Sequence, residues 1–278
     1  MAVRYVSPVT DSSPSVTVAS MTDPVAVPSA PTHRPIALVT GPTSGLGASF
    51  ARVLAERGHD LVLVARNEER LRTTAEELAE SYGAAAEILV ADLATNEGRD
   101  ATAARLTQGV DVLVNNAGFL TDGEFWDADL DLLRAQLAVN VTAVLELTHA
   151  ALPAMRAAGR GTVVNVASVS GLFAGPASTY SASKSWVVKF SEGLGHKLAA
   201  DGIRVVALCP GFMDTEFHAR GDQDVSGVPK ALWLDTDEVA RAGLDDAARG
   251  RLVSIPGRRY KVFTTLDRIK PRRFVWRA

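Results

Sequence analysis

Cysteine is almost missing from this chain. Cys209 stands alone among 278 residues, which excludes an intramolecular disulfide framework and suits a reducing compartment. Excess charge of one sign is missing too. The 29 Lys plus Arg against 32 Asp plus Glu give a net charge of -3, so there is no electrostatic footprint for nucleic acid. No run of about 18 uncharged apolar residues occurs, and no transmembrane helix is expected. The five histidines (His33, His59, His149, His196, His218) lack metal-ligand spacing, so no metal is expected. Glycine is absent from the first 35 residues, which hold six of the 13 prolines. Such a segment buries too little apolar surface to offset its ordering entropy, and 1–35 is read as a disordered tail. Pro8, Asp11 and Pro14 interrupt any secretory signal within it. The chain as a whole is 47% hydrophobic and 22% charged, the balance of a globular protein long enough to bury a sizeable core. A soluble, cytoplasmic protein is expected.

From Ile36 onward, short apolar or β-branched runs alternate with amphipathic stretches. The runs are 36–40, 61–65, 87–91, 110–115, 162–167, 203–209 and 251–255. They are continuous rather than alternating, as strands covered on both faces should be. Between them, helices are predicted over 46–57, 68–82, 96–107, 130–158, 178–200 and 236–248, with Asn67 capping the second. Such alternation implies right-handed βαβ units. The predicted fold is a doubly wound, mostly parallel seven-stranded α/β sheet, Rossmann-like, in a single domain over 36–255. Ligands then sit beyond the carboxyl ends of the strands, near the switch point.

The first strand runs into GPTSGLG and a helix. Gly41, Gly45 and Gly47 let the backbone turn tightly and approach a pyrophosphate, which the helix N-terminus favours. With Thr43, Ser44 and Leu46 they form the candidate phosphate loop, although a tight turn alone can use glycines. The spacing is neither G-x-G-x-x-G nor a P-loop. Arg66 follows the second strand, 19 residues after Gly47, where an acid would take a ribose 2′-hydroxyl. An arginine there, with Ala65 in the carboxylate position, suits a 2′-phosphate; the alternative is a solvated loop charge. Asp92 could accept from an adenine amine or simply cap the next helix. Asn115, Ala117 and Gly118, from the NNAG run after the fourth strand, could close the nucleotide pocket and stabilise the sheet edge. The expected cofactor is NADP(H).

Ser168 ends the fifth strand, Tyr180 comes twelve residues later, and Lys184 four after that on a predicted helix. Residues i and i+4 share a helix face. The ammonium is expected to bring the phenol's pKa from about 10 toward the working range, so that Tyr180 serves as general acid in carbonyl reduction. A Tyr-x-x-x-Lys pair alone also arises by chance.

TGPTSGLG, Arg66, Asp92, NNAG, Asn140, Ser168, YSASK and CPGFMDT, in this order and spacing, resemble the short-chain dehydrogenase/reductase family, in its shorter TGxxxGxG subgroup. The resemblance covers residues 36 to about 255. It implies a tetrad of Asn140, Ser168, Tyr180 and Lys184. Asn140 would hold a relay water, and Lys184 would also bind the nicotinamide ribose. Pro210 and Gly211 would seat the nicotinamide, Thr215 would contact its carboxamide, and 216–230 would be the substrate lid. Pro42 departs from the small flexible residue usual in the loop, and the loop lacks the basic residue of some NADPH-preferring members. The ending from 256 lacks the Gly-rich terminus of tetrameric members. It is read as a basic C-terminal extension with Arg268, Lys270, Arg272, Arg273 and Arg277, either solvated or touching anionic lipid or an acidic partner.

Other readings are plainer. Cys209 is a core hydrophobe. Ala- and Leu-rich stripes in 130–158 and 178–200 are core and a candidate homodimer face. Residues 169–179, with Phe119 and Leu120, suggest an apolar wall for a small-molecule carbonyl or alcohol substrate. The expected reaction is reversible NADPH-dependent reduction of a ketone or aldehyde, with 3-oxoacyl-thioester or hydroxysteroid-type reduction as the alternative. An NADP(H)-binding regulatory protein without turnover is the reading from another class.

Overall fold

The computed structural model describes residues 34–121, 124–173, 179–215 and 227–269. The chain divides into two units, Met1–His33 and Arg34–Ala278. Residues 1–33 of the predicted tail lie outside the described residues, as do most of the expected lid (216–226) and the basic residues from 270 on. Arg34 and Pro35, read as the end of that tail, instead belong to the folded unit, Arg34 donating to the carbonyls of Gly58 and Gly83 at 3.0 and 2.7 Å.

Seven parallel strands form one sheet: β1 (Ile36–Thr40), β2 (Asp60–Ala65), β3 (Ala86–Val90), β4 (Val112–Asn115), β5 (Gly161–Val166), β6 (Ile203–Leu208) and β7 (Val253–Ser254). Their order is β3-β2-β1-β4-β5-β6-β7, the doubly wound arrangement the alternation predicts. The winding reverses between β1 and β4, the point beyond whose carboxyl ends a doubly wound sheet takes its ligand.

Because strand side chains alternate in direction, each β1 residue feeds one of two cores. Ala37 and Val39 join a layer formed by α1 (Gly45–Glu56), α2 (Glu68–Tyr82) and α7 (Thr236–Ala248), with Phe50, Leu54, Leu71, Leu78 and Val239 buried in it. Leu38 faces the other layer, of α3 (Asn96–Leu106), α5 (Ala143–Ala158) and α6 (Thr179–Leu198). There Leu106, Leu147, Met155 and Leu198 are buried. Burying one such side chain is worth about 1.5–3 kcal/mol, so an apolar residue is favoured at both strand parities.

Two elements differ from the sequence reading. The stretch predicted as one helix over 130–158 is α4 (Leu130–Leu137), a π-helical turn (Ala138–Thr142) and then α5. This 29-residue span is long and apolar enough to cross a membrane by length and composition, yet one face packs on the sheet through Val139, Ala143, Leu147 and Ala151. The C-terminal extension also begins with a helix, α8 (Arg258–Ile269). Its RRYKVFTTLDRI sequence is rich in residues of modest helix propensity, so nothing in its composition marked it.

Candidate active site

The loop after β1 is held open by its own bonds. Gly41 and Gly45 have φ of +67° and +50°, the left-handed region where glycine alone is unstrained. A Cβ at Gly47 would lie 1.9 Å from the Gly41 carbonyl oxygen, so the helix can approach the loop only with glycine there. Asn116 ties the loop down, its Nδ2 donating to the carbonyls of Thr40 (2.9 Å) and Gly41 (3.2 Å). Thr40 Oγ1 accepts from the amides of Asn116 and Ala117 at 3.0 and 2.9 Å. Thr40 and Asn116 are thus structural determinants of the loop that its glycine spacing did not point to.

Helices α2, α3, α4 and α7 each begin with a side-chain cap, supplied by Asn67, Thr95, Asp129 and Asp235. Helix α1 begins at Gly45 after Ser44 with no side-chain cap and no acid in its first turn. Its leading amides and dipole suit an anion. The residues present therefore fit the pyrophosphate of a dinucleotide.

Arg66 is exposed just past β2. Arg70, from the first turn of α2, donates to the Thr43 carbonyl at 3.0 Å. A second cation thus touches the phosphate loop, which the sequence reading missed because helix orientation decides it. Asp92 Oδ1 accepts from the Ala94 amide at 3.0 Å, while Thr95 caps α3. Asp92 thus shapes the turn after β3 and is not the helix cap that one of its two readings expected. The Asn115 side chain is buried within the fold and links β4 to β5, the sheet-stabilising one of the two roles expected of its run. It donates to Thr148 (3.1 Å) and Asn165 (2.8 Å), and Asn165 in turn donates to Ser191 (2.9 Å). Thr215 reaches the loop from the other side, its Cγ2 lying 3.0 Å from where a Gly45 Cβ would be.

At the end of β5, Ser168 Oγ accepts from the Ser170 amide at 3.1 Å and is hydrogen-bonded to the Tyr180 phenol. Lys184, on the same face of α6 as Tyr180, is 4% exposed. Its Nζ donates to the Val166 carbonyl at 2.8 Å and lies 5.6 Å from the centre of the Tyr180 ring. Gly118 borders both remaining members: its Cβ position is 3.0 Å from Asn140 Oδ1 and 3.3 Å from Lys184 Nζ. Asn140 lies in the π-turn, a distortion that often marks a functional position. Its side chain pairs with Phe119 in both directions, accepting from its amide at 3.1 Å and donating to its carbonyl at 2.9 Å. These bonds orient the chain at Phe119.

The ionisation differs from the sequence expectation. Burial pushes the Tyr180 phenol up to about 12, with the Ser168 bond pulling the other way. Burial pushes the Lys184 ammonium down to about 8. Desolvation outweighs attraction because the two groups are not in direct contact. At neutral pH the phenol is protonated and the ammonium charged, the states in which a tyrosine can give up a proton and a lysine can stabilise what remains. Phe119 is tied to Asn140, Leu172 and Phe173 follow the turn after Ser168, and Phe173 meets Phe263 of α8 edge-to-face at 5.2 Å. Residues 174–178 of the expected apolar wall lie outside the described residues. Cys209 is buried. Among the described residues, no three His, Cys, Asp or Glu side chains gather as a metal site.

Residues 35–226 match the family described as short chain dehydrogenase. A protein of Streptomyces violaceoruber, assigned to the granaticin polyketide synthase as ketoacyl reductase 1, is 39% identical over 213 residues, 74% of this chain and 76% of its own. A short-chain dehydrogenase from Sphingobium yanoikuyae, solved in complex with NADPH, superposes with a TM-score of 0.76 at 35% identity, covering 84% of this chain and 93% of its own. The bulky-bulky ketone specific alcohol dehydrogenase from Comamonas testosteroni gives a TM-score of 0.73 at 31% identity, covering 85% and 92%.

Proposed function

The chain belongs to the short-chain dehydrogenase family and is an oxidoreductase of that family; from that premise we propose that it reduces a ketone or aldehyde to an alcohol, reversibly, with NADP(H). The observation that carries this reading is the convergence of Ser168, Tyr180 and Lys184 at the end of β5, with Gly118 against Lys184 and Asn140.

The cofactor supplies or accepts the hydride when bound. Its pyrophosphate would lie on the uncapped start of α1 and its 2′-phosphate against Arg66, with Arg70 contributing a second positive charge at the loop. The binding of NADPH by the Sphingobium relative supports this choice. Ser168 would hold the substrate carbonyl oxygen. As that oxygen gains negative charge, Tyr180 would transfer its phenolic proton to it, and the Lys184 ammonium would stabilise the phenolate left behind. A phenol held protonated at neutral pH favours the reductive direction.

Phe119, Leu172 and Phe173 argue for an apolar substrate, and the bulky-ketone specificity of the Comamonas relative supports a large one. A 3-oxoacyl thioester is the second reading, favoured by the Streptomyces ketoacyl reductase. The homodimer would use the outer face of α4 and α5, where Leu137 and Leu145 are exposed. Following NADPH consumption over a panel of bulky ketones, small aldehydes and 3-oxoacyl thioesters tests the proposal. Turnover of the first class fastest is expected. Tight NADPH binding without turnover of any would favour the regulatory reading instead.

A further inference from the structure

We propose that Tyr260, on the C-terminal helix α8, is a positioning residue that fixes the nicotinamide end of the cofactor site through the turn Pro210–Gly211–Phe212. The inference rests on the cofactor reading above, in which that turn seats the nicotinamide.

Tyr260 is 7% exposed, and its hydroxyl is used in both directions. It accepts from the Phe212 amide at 3.0 Å and donates to the Leu232 carbonyl at 2.8 Å. One phenol therefore joins the chain leaving β6 to the chain approaching α7. A second tie lies beside it, where the Leu234 amide donates to the Phe212 carbonyl at 2.9 Å and Met213 bridges to Leu234. The Tyr260 ring also decides what can occupy position 211. A Cβ on Gly211 would lie 2.0 Å from Cζ of that ring, so the glycine read as a cofactor residue is required by Tyr260 packed behind it. The chain of contacts continues to the catalytic serine: the Pro210 carbonyl accepts from the Val169 amide at 3.0 Å, next to Ser168.

The adenosine end has anchors of its own. Gly41 donates to the Val64 carbonyl at 2.8 Å, and Asn116 anchors the loop from β4. None of these bonds passes through residues 210–212. Loss of the Tyr260 hydroxyl should therefore loosen one end of the bound dinucleotide and leave the other unchanged. Arg259 provides the control, because it ties α8 to the Ala231 carbonyl at 2.7 Å without touching the turn.

The test is titration calorimetry of the full chain with NADPH and with adenosine 2′,5′-bisphosphate. The variants are Tyr260→Phe, which keeps the ring against Gly211, and Arg259→Ala. Expected for Tyr260→Phe is about tenfold weaker NADPH binding, with bisphosphate binding unchanged within about twofold. Arg259→Ala should leave both within about twofold. Unchanged NADPH affinity in Tyr260→Phe, equal weakening of both ligands, or the same loss in Arg259→Ala would each overturn the proposal. A wild-type chain that bound neither ligand would instead overturn the cofactor reading on which it rests.

Discussion

The buried lysine makes the reaction's pH dependence a direct readout of the site. Burial lowers Lys184 from 10.5 to about 8, a penalty on the charged form of roughly 3 kcal/mol at about 1.4 kcal/mol per pKa unit. A lowered lysine pKa means that the ammonium is present below about 8 and lost above it. The Tyr180 phenol, at about 12, stays protonated across the same window. The quantity to measure is kcat/KM for NADPH in the reductive direction, because it reports groups of the free enzyme. Data below about pH 7 are set aside, since a phosphate's second ionisation, near 6, falls there. From pH 7 upward the profile should be level and then fall through an apparent pKa of about 8, losing tenfold per further unit. Lys184→Arg, whose guanidinium cannot deprotonate, should react more slowly but lack that limb. A limb near 10.5 in the wild type, or one at 8 that survives Lys184→Arg, would refute the reasoning.

Gly47→Ala should lower NADPH affinity by at least tenfold, seen by calorimetry, because its methyl would lie 1.9 Å from the Gly41 carbonyl oxygen and force helix and loop apart. Arg66→Asp should cost NADPH about 10- to 100-fold in affinity through loss of a charge-assisted bond, with NADH little changed; equal effects on both would remove Arg66 from the 2′-phosphate. Asn165→Ala would leave Asn115 and Ser191 each short of a buried partner, at about 1–3 kcal/mol. A fall in Tm of several degrees is expected on thermal denaturation, and an unchanged Tm would contradict the network.

Most strands were legible because both of their parities are apolar, and the loop because its three glycines fall between the first strand and the first helix. Other features depend on packing that spacing does not encode. Asn115 and Asn116 are adjacent and chemically identical, yet the pleat turns one into the core and leaves the other at the loop. The spacing from Tyr180 to Lys184 told that they share a face, but not that desolvation would drive the phenol upward. The π-turn at Asn140 sits inside an unbroken helical pattern. Tyr260 lies in a stretch read as a basic extension, either solvated or touching anionic lipid or an acidic partner, and its partners at 212 and 232 are distant in sequence.

The most direct test of the central claim compares wild type and Tyr180→Phe for carbonyl-dependent oxidation of NADPH and of NADH, with NADPH binding measured alongside. The account predicts turnover faster with NADPH, and a loss of about 10²- to 10⁴-fold in Tyr180→Phe at unchanged NADPH affinity. Turnover that survives in Tyr180→Phe, or that is faster with NADH, would contradict it.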